Sequence, residues 1–201
     1  MPTSIKSQAI LRKAGLAARR ELTPAYRHTA SGQILEKIRT SHRFKASKAV
    51  AVYWPMPDEV DVIDLIDIVI AQNRRAYLPI VRQDMTLGFG EVTASTRFCR
   101  NQYGIPEPVT TNDSLITARN LHLVITPLSA FDDSGNRIGF GGGYYDRTFG
   151  FRRHRTSWLR PRLVGVAFDA QRVAAIKANP WDVTMDAVIT ENAVYGSGIV
   201  I

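Results

Sequence analysis

One segment of the chain combines the residue types that bind phosphate and a divalent metal. Residues 137–147 read Arg-Ile-Gly-Phe-Gly-Gly-Gly-Tyr-Tyr-Asp-Arg, with four glycines in five positions. Glycines leave backbone amides uncovered, so several amides can point together at an anion. Arg137 and Arg147 bracket the glycines and offer cationic donors to phosphate, and Asp146 offers an oxygen ligand suited to magnesium. This pattern favours a phosphate-binding site.

The segment is not one of the common phosphate loops. It holds no Gly-Lys-Ser/Thr, which excludes a Walker A loop. Counted from Gly139, a dinucleotide fingerprint needs glycine at position 144, where Tyr144 stands. Glycine content alone fits a flexible turn equally well. The flanking arginines and Asp146 favour the binding site over the turn.

The position of this segment in the predicted fold also suits a site. It follows a predicted strand, Leu121–Thr126, and precedes a predicted helix, Tyr145–Phe149, and α/β sheets bind ligands at the carboxyl ends of their strands. A helix beginning there would add a favourable dipole for an anion. Four further helices are predicted: from Ser4 to about Glu21, from Pro24 onwards with Thr23 as N-cap, and near Val62–Ile70 and Ala170–Lys177. Four further strands are predicted at Ala49–Trp54, Arg75–Val81, Leu163–Phe168 and Ala187–Thr190. Residues Asn101–Asn112 are predicted to form a loop.

This alternation predicts an α/β fold with a mostly parallel sheet and helices on both faces. Two helices are predicted before the first strand of the sheet. The second has an apolar face formed by Tyr26, Ala30, Ile34 and Ile38. No repeat, low-complexity tract or linker interrupts the chain. Residues 1–201 are therefore predicted to form a single domain with an N-terminal helical segment.

The charge of the chain is concentrated at its start. The net charge is +8, and residues 1–50 hold eleven Lys/Arg and two Asp/Glu. Such a segment suits phosphate binding, nucleic-acid binding or organellar targeting, and a solvated helix face is the plainer alternative. A later basic run, Arg152–Arg155 with Arg160 and Arg162, adds to the nucleic-acid hypothesis. No helix-turn-helix, zinc-finger or RNP-type pattern supports that hypothesis.

Several classes of protein are excluded by composition. The single cysteine, Cys99, can form no internal disulfide, and none of the four histidines has another at i,i+4 spacing, so a usual zinc site is not expected. No apolar run approaches the ~18 residues of a membrane span. The predicted location is cytoplasmic, with an organellar presequence as a minor possibility.

The glycine segment closely resembles the signature of the 5-formyltetrahydrofolate cyclo-ligase family, roughly Gly-x-Arg-Leu-Gly-x-Gly-x-Gly-Tyr-Tyr-Asp-Arg. Other segments resemble the family in the same order along the chain. They are Leu11-Arg12 with Arg19–Pro24, Tyr53–Asp61, Gly104–Pro108 and Pro180–Asp186. The resemblance thus spans nearly the whole chain, whereas a sugar-phosphate or acyl-transfer enzyme would explain only the phosphate loop.

The resemblance implies a three-layer α/β/α fold and a specific reaction. ATP would phosphorylate the formyl oxygen of 5-formyltetrahydrofolate with Mg²⁺ present. N10 would then attack the activated carbon, and phosphate would leave to give 5,10-methenyltetrahydrofolate. The partners would be ATP and the folate, which can carry a polyglutamate tail, with no nucleic acid and no membrane. Neither oligomeric state nor polyglutamate preference follows from the sequence.

The resemblance also implies roles for individual residues. Asp146 and Asp186 match metal-ligand positions, and Glu59 matches a substrate-contacting position. Trp54 is assigned to the substrate side by its residue type, since an aromatic ring can face the flat pterin, and a core position is the plainer alternative. Arg137 and Tyr144 are implied catalytic residues, and Tyr144 would also face the substrate. The implied ATP-binding residues are Gln8, Arg12, Arg137, Ile138, Gly139, Phe140, Gly141, Gly142, Gly143, Tyr144 and Tyr145.

Two of these positions depart from the family pattern. Gln8 stands where a lysine is common, with Lys6 nearby as a substitute. Phe140 stands where a basic residue is common. One charged contact to the nucleotide is therefore expected to be missing or supplied by another residue.

Overall fold

A computed structural model describes residues 2–153 and 160–196. Within them no helix is long and apolar enough to cross a membrane. The helices are α1 (Pro2–Glu21), α2 (Pro24–Thr40), α3 (His42–Ala46), α4 (Asp64–Ala71) and α5 (Tyr144–Phe149). The strands are β1 (Ala49–Ala51), β2 (Arg75–Val81), β3 (Leu87–Val92), β4 (Phe98–Arg100), β5 (Pro106–Pro108), β6 (Leu123–Pro127), β7 (Ala130–Phe131), β8 (Arg137–Ile138), β9 (Arg162–Val166), β10 (Ala187–Ile189) and β11 (Val194–Tyr195).

Seven strands form one mixed, mostly parallel sheet in the order β11-β10-β9-β6-β1-β2-β3. The five central strands are parallel, and β3 and β11 pair antiparallel at the two edges. The β4–β5 and β7–β8 pairs are separate two-stranded hairpins. The predicted α/β fold with a mostly parallel sheet is confirmed.

Alternate residues of the parallel strands pack into two apolar clusters on opposite faces of the sheet. Val50 and Ile125 join one cluster with α2, α3 and α4. Ala51 and Val124 join the other, with Phe149 of α5 and the loops around it. Because side chains of a strand alternate between its faces, a fully buried sheet needs an apolar residue at every position. This explains the continuous apolar runs of β1 and β6.

The first two helices pack against different parts of the fold. Thr23 caps α2 by accepting a hydrogen bond from the backbone N–H of Tyr26, and Pro24 opens the helix, as predicted. Ala30, Ile34 and Ile38 are buried, whereas Tyr26 is 43% exposed. Helix α1 packs against the β7–β8 hairpin and the 3₁₀ turn Asp169–Gln171.

Some predicted boundaries were wrong. Helix α1 begins at Pro2, so Ser4 lies inside it and is not its N-cap. The predicted loop Asn101–Asn112 contains β5, which pairs with β4. Two of the basic residues in the predicted run Arg152–Arg155 lie outside the described residues.

The predicted helix Ala170–Lys177 is absent, and only the 3₁₀ turn Asp169–Gln171 forms there. The backbone amides of Val173 and Ile176 bond instead to the Phe131 carbonyl and the Asp132 carboxylate. Tertiary partners therefore replace the helical ones. The extent of the single domain, residues 1–201, stays a prediction.

Candidate active site

A cavity of about 950 Å³ opens at the carboxyl ends of the central strands. Tyr53 and Trp54 follow β1, Pro79 and Val81 lie in β2, and Pro127 ends β6, and all five line the cavity. The chain runs from β1 to β2 on one side, whereas β6 pairs on the other, so the strand order reverses here. This is the position where open α/β sheets bind ligands.

The glycine segment forms one wall of this cavity, and all residues from Arg137 to Arg147 line it. Gly143 has φ +68° at the start of α5, a conformation that favours glycine. Two arginines hold the segment in place. The Arg12 Nε donates to the Gly139 carbonyl (2.7 Å), and an Arg147 nitrogen donates to the Gly142 carbonyl (2.6 Å). Helix α5 has only six residues, so the predicted dipole contribution is small.

Arg137 is the buried cation of the site, with 8% exposure. One terminal nitrogen lies 2.9 Å from Asp146 Oδ1, which also accepts from the Val183 amide (3.0 Å). The Arg137 Nε is buried and has no hydrogen-bond partner among the described residues. Since a buried donor without a partner is costly, this nitrogen is suited to an incoming anion.

Ile138 and Tyr145 enter the cavity wall mainly as packing residues. The Ile138 side chain is 2% exposed and belongs to a small apolar cluster with Ala130 and Ile176. The Tyr145 ring stacks on Phe149, and burial raises the pKa of its hydroxyl, which therefore stays protonated. Any contact of Ile138 with a nucleotide would come from its backbone.

Asp186 is not brought to the cavity and does not fit the predicted role of metal ligand. Both of its oxygens lie 2.7 Å from an Arg152 nitrogen, and Arg162 contributes a further contact at 3.2 Å. The Leu163 amide also donates to Asp186. With 9% exposure, this carboxylate is an internal ion-pair partner that joins β9 to β10. Asp146 therefore lines the cavity without Asp186.

A second part of the cavity wall contains Glu59, a buried carboxylate with 6% exposure. One oxygen accepts from the Met56 amide (2.9 Å), and the other lies 3.4 Å from an Arg19 nitrogen. Burial raises its pKa to about 7, and the Met56 amide and Arg19 oppose this rise. Glu59 therefore changes charge near neutral pH.

Aromatic side chains line the cavity between the two walls. Trp54 packs on Phe98 of β4 (ring centroids 5.4 Å apart). The Tyr144 hydroxyl lies 2.6 Å from the Tyr103 hydroxyl, and their rings meet edge to face. A side chain at Gly142 would collide with the Tyr144 ring, since an added Cβ would lie 2.6 Å from it. The hydrogen bond to Tyr103 raises the pKa of Tyr144, which favours a hydroxyl that donates.

Both departures from the family pattern lie at the cavity wall. The Gln8 amide donates to Asp182 (2.9 Å) and to the Lys177 carbonyl (3.2 Å). Phe140 is 51% exposed, and its ring centroid lies 5.5 Å from the Arg19 guanidinium carbon. Neither residue brings a charge to the cavity.

The sequence profile of the 5-formyltetrahydrofolate cyclo-ligase family matches residues 4–191. The chain belongs to this family. It is 31% identical over 179 residues to the 5-formyltetrahydrofolate cyclo-ligase of Escherichia coli strain K12, with 88% of this chain and 96% of that one covered. It is 30% identical to the enzyme of the same name from Haemophilus influenzae over 171 residues, with 83% and 88% covered.

Solved structures of similar proteins agree with this assignment. The NMR structure of 5,10-methenyltetrahydrofolate synthetase from Aquifex aeolicus superposes with a TM-score of 0.79 at 28% identity, covering 96% of this chain and 95% of the other. The synthetase from Mycoplasma pneumoniae superposes with a TM-score of 0.70 at 25% identity, covering 92% and 98%. The resemblance found in the sequence is therefore confirmed.

Several residues of this cyclo-ligase family member lie at the site without having been predicted there. Tyr103, Asn101 and Glu107 come from the β4–β5 hairpin, and Trp181 and Asp182 precede β10. The matched segments Gly104–Pro108 and Pro180–Asp186 held a signal for Glu107, Trp181 and Asp182, to which no role was assigned, whereas Asn101 and Tyr103 lie outside the matched segments. Their convergence depends on the fold and could not be read from spacing.

Proposed function

We infer that this chain is an ATP-dependent 5-formyltetrahydrofolate cyclo-ligase, which forms 5,10-methenyltetrahydrofolate, ADP and phosphate. Family membership over residues 4–191 supports this activity. One structural observation supports the site: a single cavity is lined both by the glycine segment with its arginines and by the buried Glu59 carboxylate. A phosphate-rich and a donor-rich substrate would thus meet between them.

On the glycine side, we propose that Arg12 and Arg137 bind the phosphates of ATP. The formyl oxygen attacks the γ-phosphorus, the bond to the bridging β–γ oxygen breaks, and ADP leaves. This step mainly requires alignment of the reactants and neutralisation of the charge that spreads over the phosphoryl oxygens. The Arg137 guanidinium lines the cavity and provides positive charge beside those oxygens. The Tyr144 hydroxyl also lines the cavity, and it is a further donor to the phosphates when Tyr103 donates the hydrogen bond between the two hydroxyls.

On the other wall, we propose that Glu59 accepts hydrogen bonds from the pterin ring, which carries several N–H donors. Trp54 and Tyr144 provide flat apolar surfaces for the ring system. Fixing the folate orients its N10 towards the phosphorylated formyl carbon. N10 then bonds to that carbon, its proton is released, and the carbon–oxygen bond breaks as phosphate leaves.

Magnesium fits this site as a partner of the ATP phosphates. The described residues contain no cluster of three or more His, Cys, Asp or Glu that could hold a metal. Mg²⁺ is, however, usually held by one or two carboxylates together with substrate phosphates. We propose Asp146 as that carboxylate, because Arg137 and the Val183 amide engage only its Oδ1. The ion would supply further charge neutralisation when bound.

The alternative, a nucleic-acid binder, is not favoured by the use of the basic residues. Arg12 and Arg19 point into the protein, and Lys37 donates to the backbone carbonyls of Thr190 and Glu191. These side chains belong to the basic N-terminal segment and are engaged internally. We propose ATP and 5-formyltetrahydrofolate as the partners, and the cytoplasmic location stays a prediction.

The absorbance of methenyltetrahydrofolate provides a direct test. Purified protein should form it only when ATP, Mg²⁺ and 5-formyltetrahydrofolate are all present, and Arg137→Ala should reduce the rate. The matched control is Arg20→Gln, since Arg20 is an exposed arginine of α1 outside the cavity. Equal turnover without ATP would reject the mechanism. Tight, salt-sensitive RNA binding with no turnover would favour the alternative.

A further inference from the structure

Arg19 is a buried arginine that joins helix α1 to the loop carrying Glu59. Its exposure is 2%. Two of its nitrogens donate to the two oxygens of Asp58, at 3.2 and 3.0 Å, and the third lies 3.4 Å from Glu59 Oε1. Arginine suits such a contact because its planar group presents several donors in a fixed geometry. One side chain therefore fixes two adjacent carboxylates.

Phe140 of the glycine segment lies over this guanidinium, with 5.5 Å between the ring centroid and the Arg19 guanidinium carbon. The position that commonly carries a charge in the family thus carries a cover for Arg19 here. Arg12 lies seven residues before Arg19 on α1, about two helical turns, and holds Gly139. The helix therefore contacts both walls of the cavity through one face.

The charged groups around Glu59 come from three elements. Asp58 and Asp61 flank it in its own loop, Arg19 approaches from α1, and the hydroxyls of Tyr53 and Tyr145 lie within electrostatic reach. Arg19 is the cation among them. The two tyrosines stay neutral because burial raises the pKa of each hydroxyl.

We propose that Arg19 is a positioning residue, which holds the Glu59 carboxylate ionised and in a fixed orientation for folate. This rests on the proposed role of Glu59 in binding the pterin ring. Arg19 does not touch the folate in this arrangement, and it acts through Glu59.

The proposal implies a specific dependence on pH. The pKa of Glu59 is raised to about 7 mainly by burial, and Arg19 opposes this rise through its charge and its hydrogen bond. Without Arg19 the pKa would be higher still. Folate affinity needs the ionised form, so it is present above the pKa and lost as the pH falls through it. Loss of Arg19 should move this midpoint to higher pH.

The test measures binding of 5-formyltetrahydrofolate by calorimetry from pH 5.5 to 9.5, together with KM values for folate and ATP. Arg19→Gln should weaken folate binding at pH 7 about tenfold or more. Affinity should return to within about threefold of wild type at pH 9, because Glu59 ionises again. The KM for ATP should change less than about threefold. Glu59→Gln should bind folate weakly at every pH.

Arg20→Gln is the matched control. Arg20 is the next residue of α1, its side chain is 72% exposed, and its Nε lies 3.8 Å from Asp58. Its loss should leave the pH midpoint and folate affinity unchanged. Arg19→Lys keeps a charge and is measured in case Arg19→Gln does not fold. It should show a smaller shift of the midpoint in the same direction.

The outcomes separate this proposal from the proposed function. Wild type without turnover would reject the cyclo-ligase assignment itself. Active wild type, with Arg19 variants whose folate binding is equally weak at all pH values, would overturn the proposal, because Arg19 would then be merely structural. A midpoint that moves to lower pH, or that moves equally in Arg20→Gln, would also overturn it.

Discussion

Replacing Glu59 with glutamine should stabilise the protein above neutral pH while it weakens folate binding. Glu59 is 6% exposed, and burial raises its pKa from 4.5 to about 7. The folded protein therefore holds an ionised carboxylate at pH 8 at a cost in free energy. Glutamine has the shape of the protonated side chain and removes that cost.

The magnitude and the sign both follow from this shift. A pKa that is higher in the folded than in the unfolded state contributes stability below pH 4.5, which is lost as the pH rises through about 7. A shift from 4.5 to about 7 corresponds to roughly 3 kcal/mol at about 1.4 kcal/mol per pH unit. For a chain of this size, that is roughly 6–12 °C in Tm. The glutamine NH₂ facing Arg19 will reduce this, so the upper half of that range is not expected.

Thermal unfolding of the ligand-free protein at pH 5 and pH 8 provides the assay. Glu59→Gln should exceed wild type by no more than about 2–3 °C at pH 5 and by several degrees more at pH 8. Asp58→Asn is the matched control, because it removes a carboxylate that contacts the same arginine but is 23% exposed in its side chain. It should lower the Tm at pH 8. An unchanged or lower Tm for Glu59→Gln at pH 8 would refute the reasoning.

Three further substitutions test the assignments of the site. Asp146→Asn should reduce turnover steeply with the fold intact, and excess Mg²⁺ should recover part of it; unchanged activity at limiting Mg²⁺ would remove Asp146 from the metal site. Arg137→Ala should raise the KM for ATP or lower kcat, with folate binding largely kept. Glu59→Gln should instead weaken folate binding about ten- to a hundredfold, with ATP binding kept. Calorimetry of each variant with each ligand would measure both effects. Asp186→Asn should lower stability by about 3–5 kcal/mol in denaturant unfolding, because it leaves Arg152 without its buried partner, and its Mg²⁺ dependence should match wild type.

The parallel strands were the part of the fold most accessible from sequence. Strand β2 has the predicted bounds, Arg75–Val81. The bounds of β1, β6, β9 and β10 differ from the predicted ones by three residues at most. These strands are buried on both faces, so they appear as short apolar runs between polar residues. Such runs can be recognised in the sequence without knowing which strands lie beside them in the sheet.

The antiparallel elements gave weaker signals. Strand β3 (Leu87–Val92) contains two glycines, which weaken the alternating pattern of a strand. Its assignment as a strand depends on its antiparallel pairing with β2, which the sequence alone does not show. In the β4–β5 hairpin, β5 contains two prolines and lies within the segment Asn101–Asn112, which was predicted as a loop. Proline usually argues against a strand, but an edge strand of a small hairpin tolerates it.

The candidate site divides in the same way between local and non-local information. The glycine segment and Asp146 were found because their residue types are adjacent in the chain. Asp186 was assigned by resemblance, and only the fold shows that Arg152 and Arg162 take its carboxylate. Tyr103 needed the structure, because it lies 41 residues from its hydrogen-bond partner.

The basic N-terminal segment shows what composition alone leaves open. Its charge suited phosphate binding, nucleic-acid binding, targeting and a solvated surface, with the solvated surface as the plainest interpretation. The structure separates these uses, since Arg12 holds the glycine segment and Arg19 holds Asp58 and Glu59. Helix α1 therefore holds the lining of the candidate site through Arg12 and Arg19, whereas Lys13 and Arg20 of the same helix are exposed.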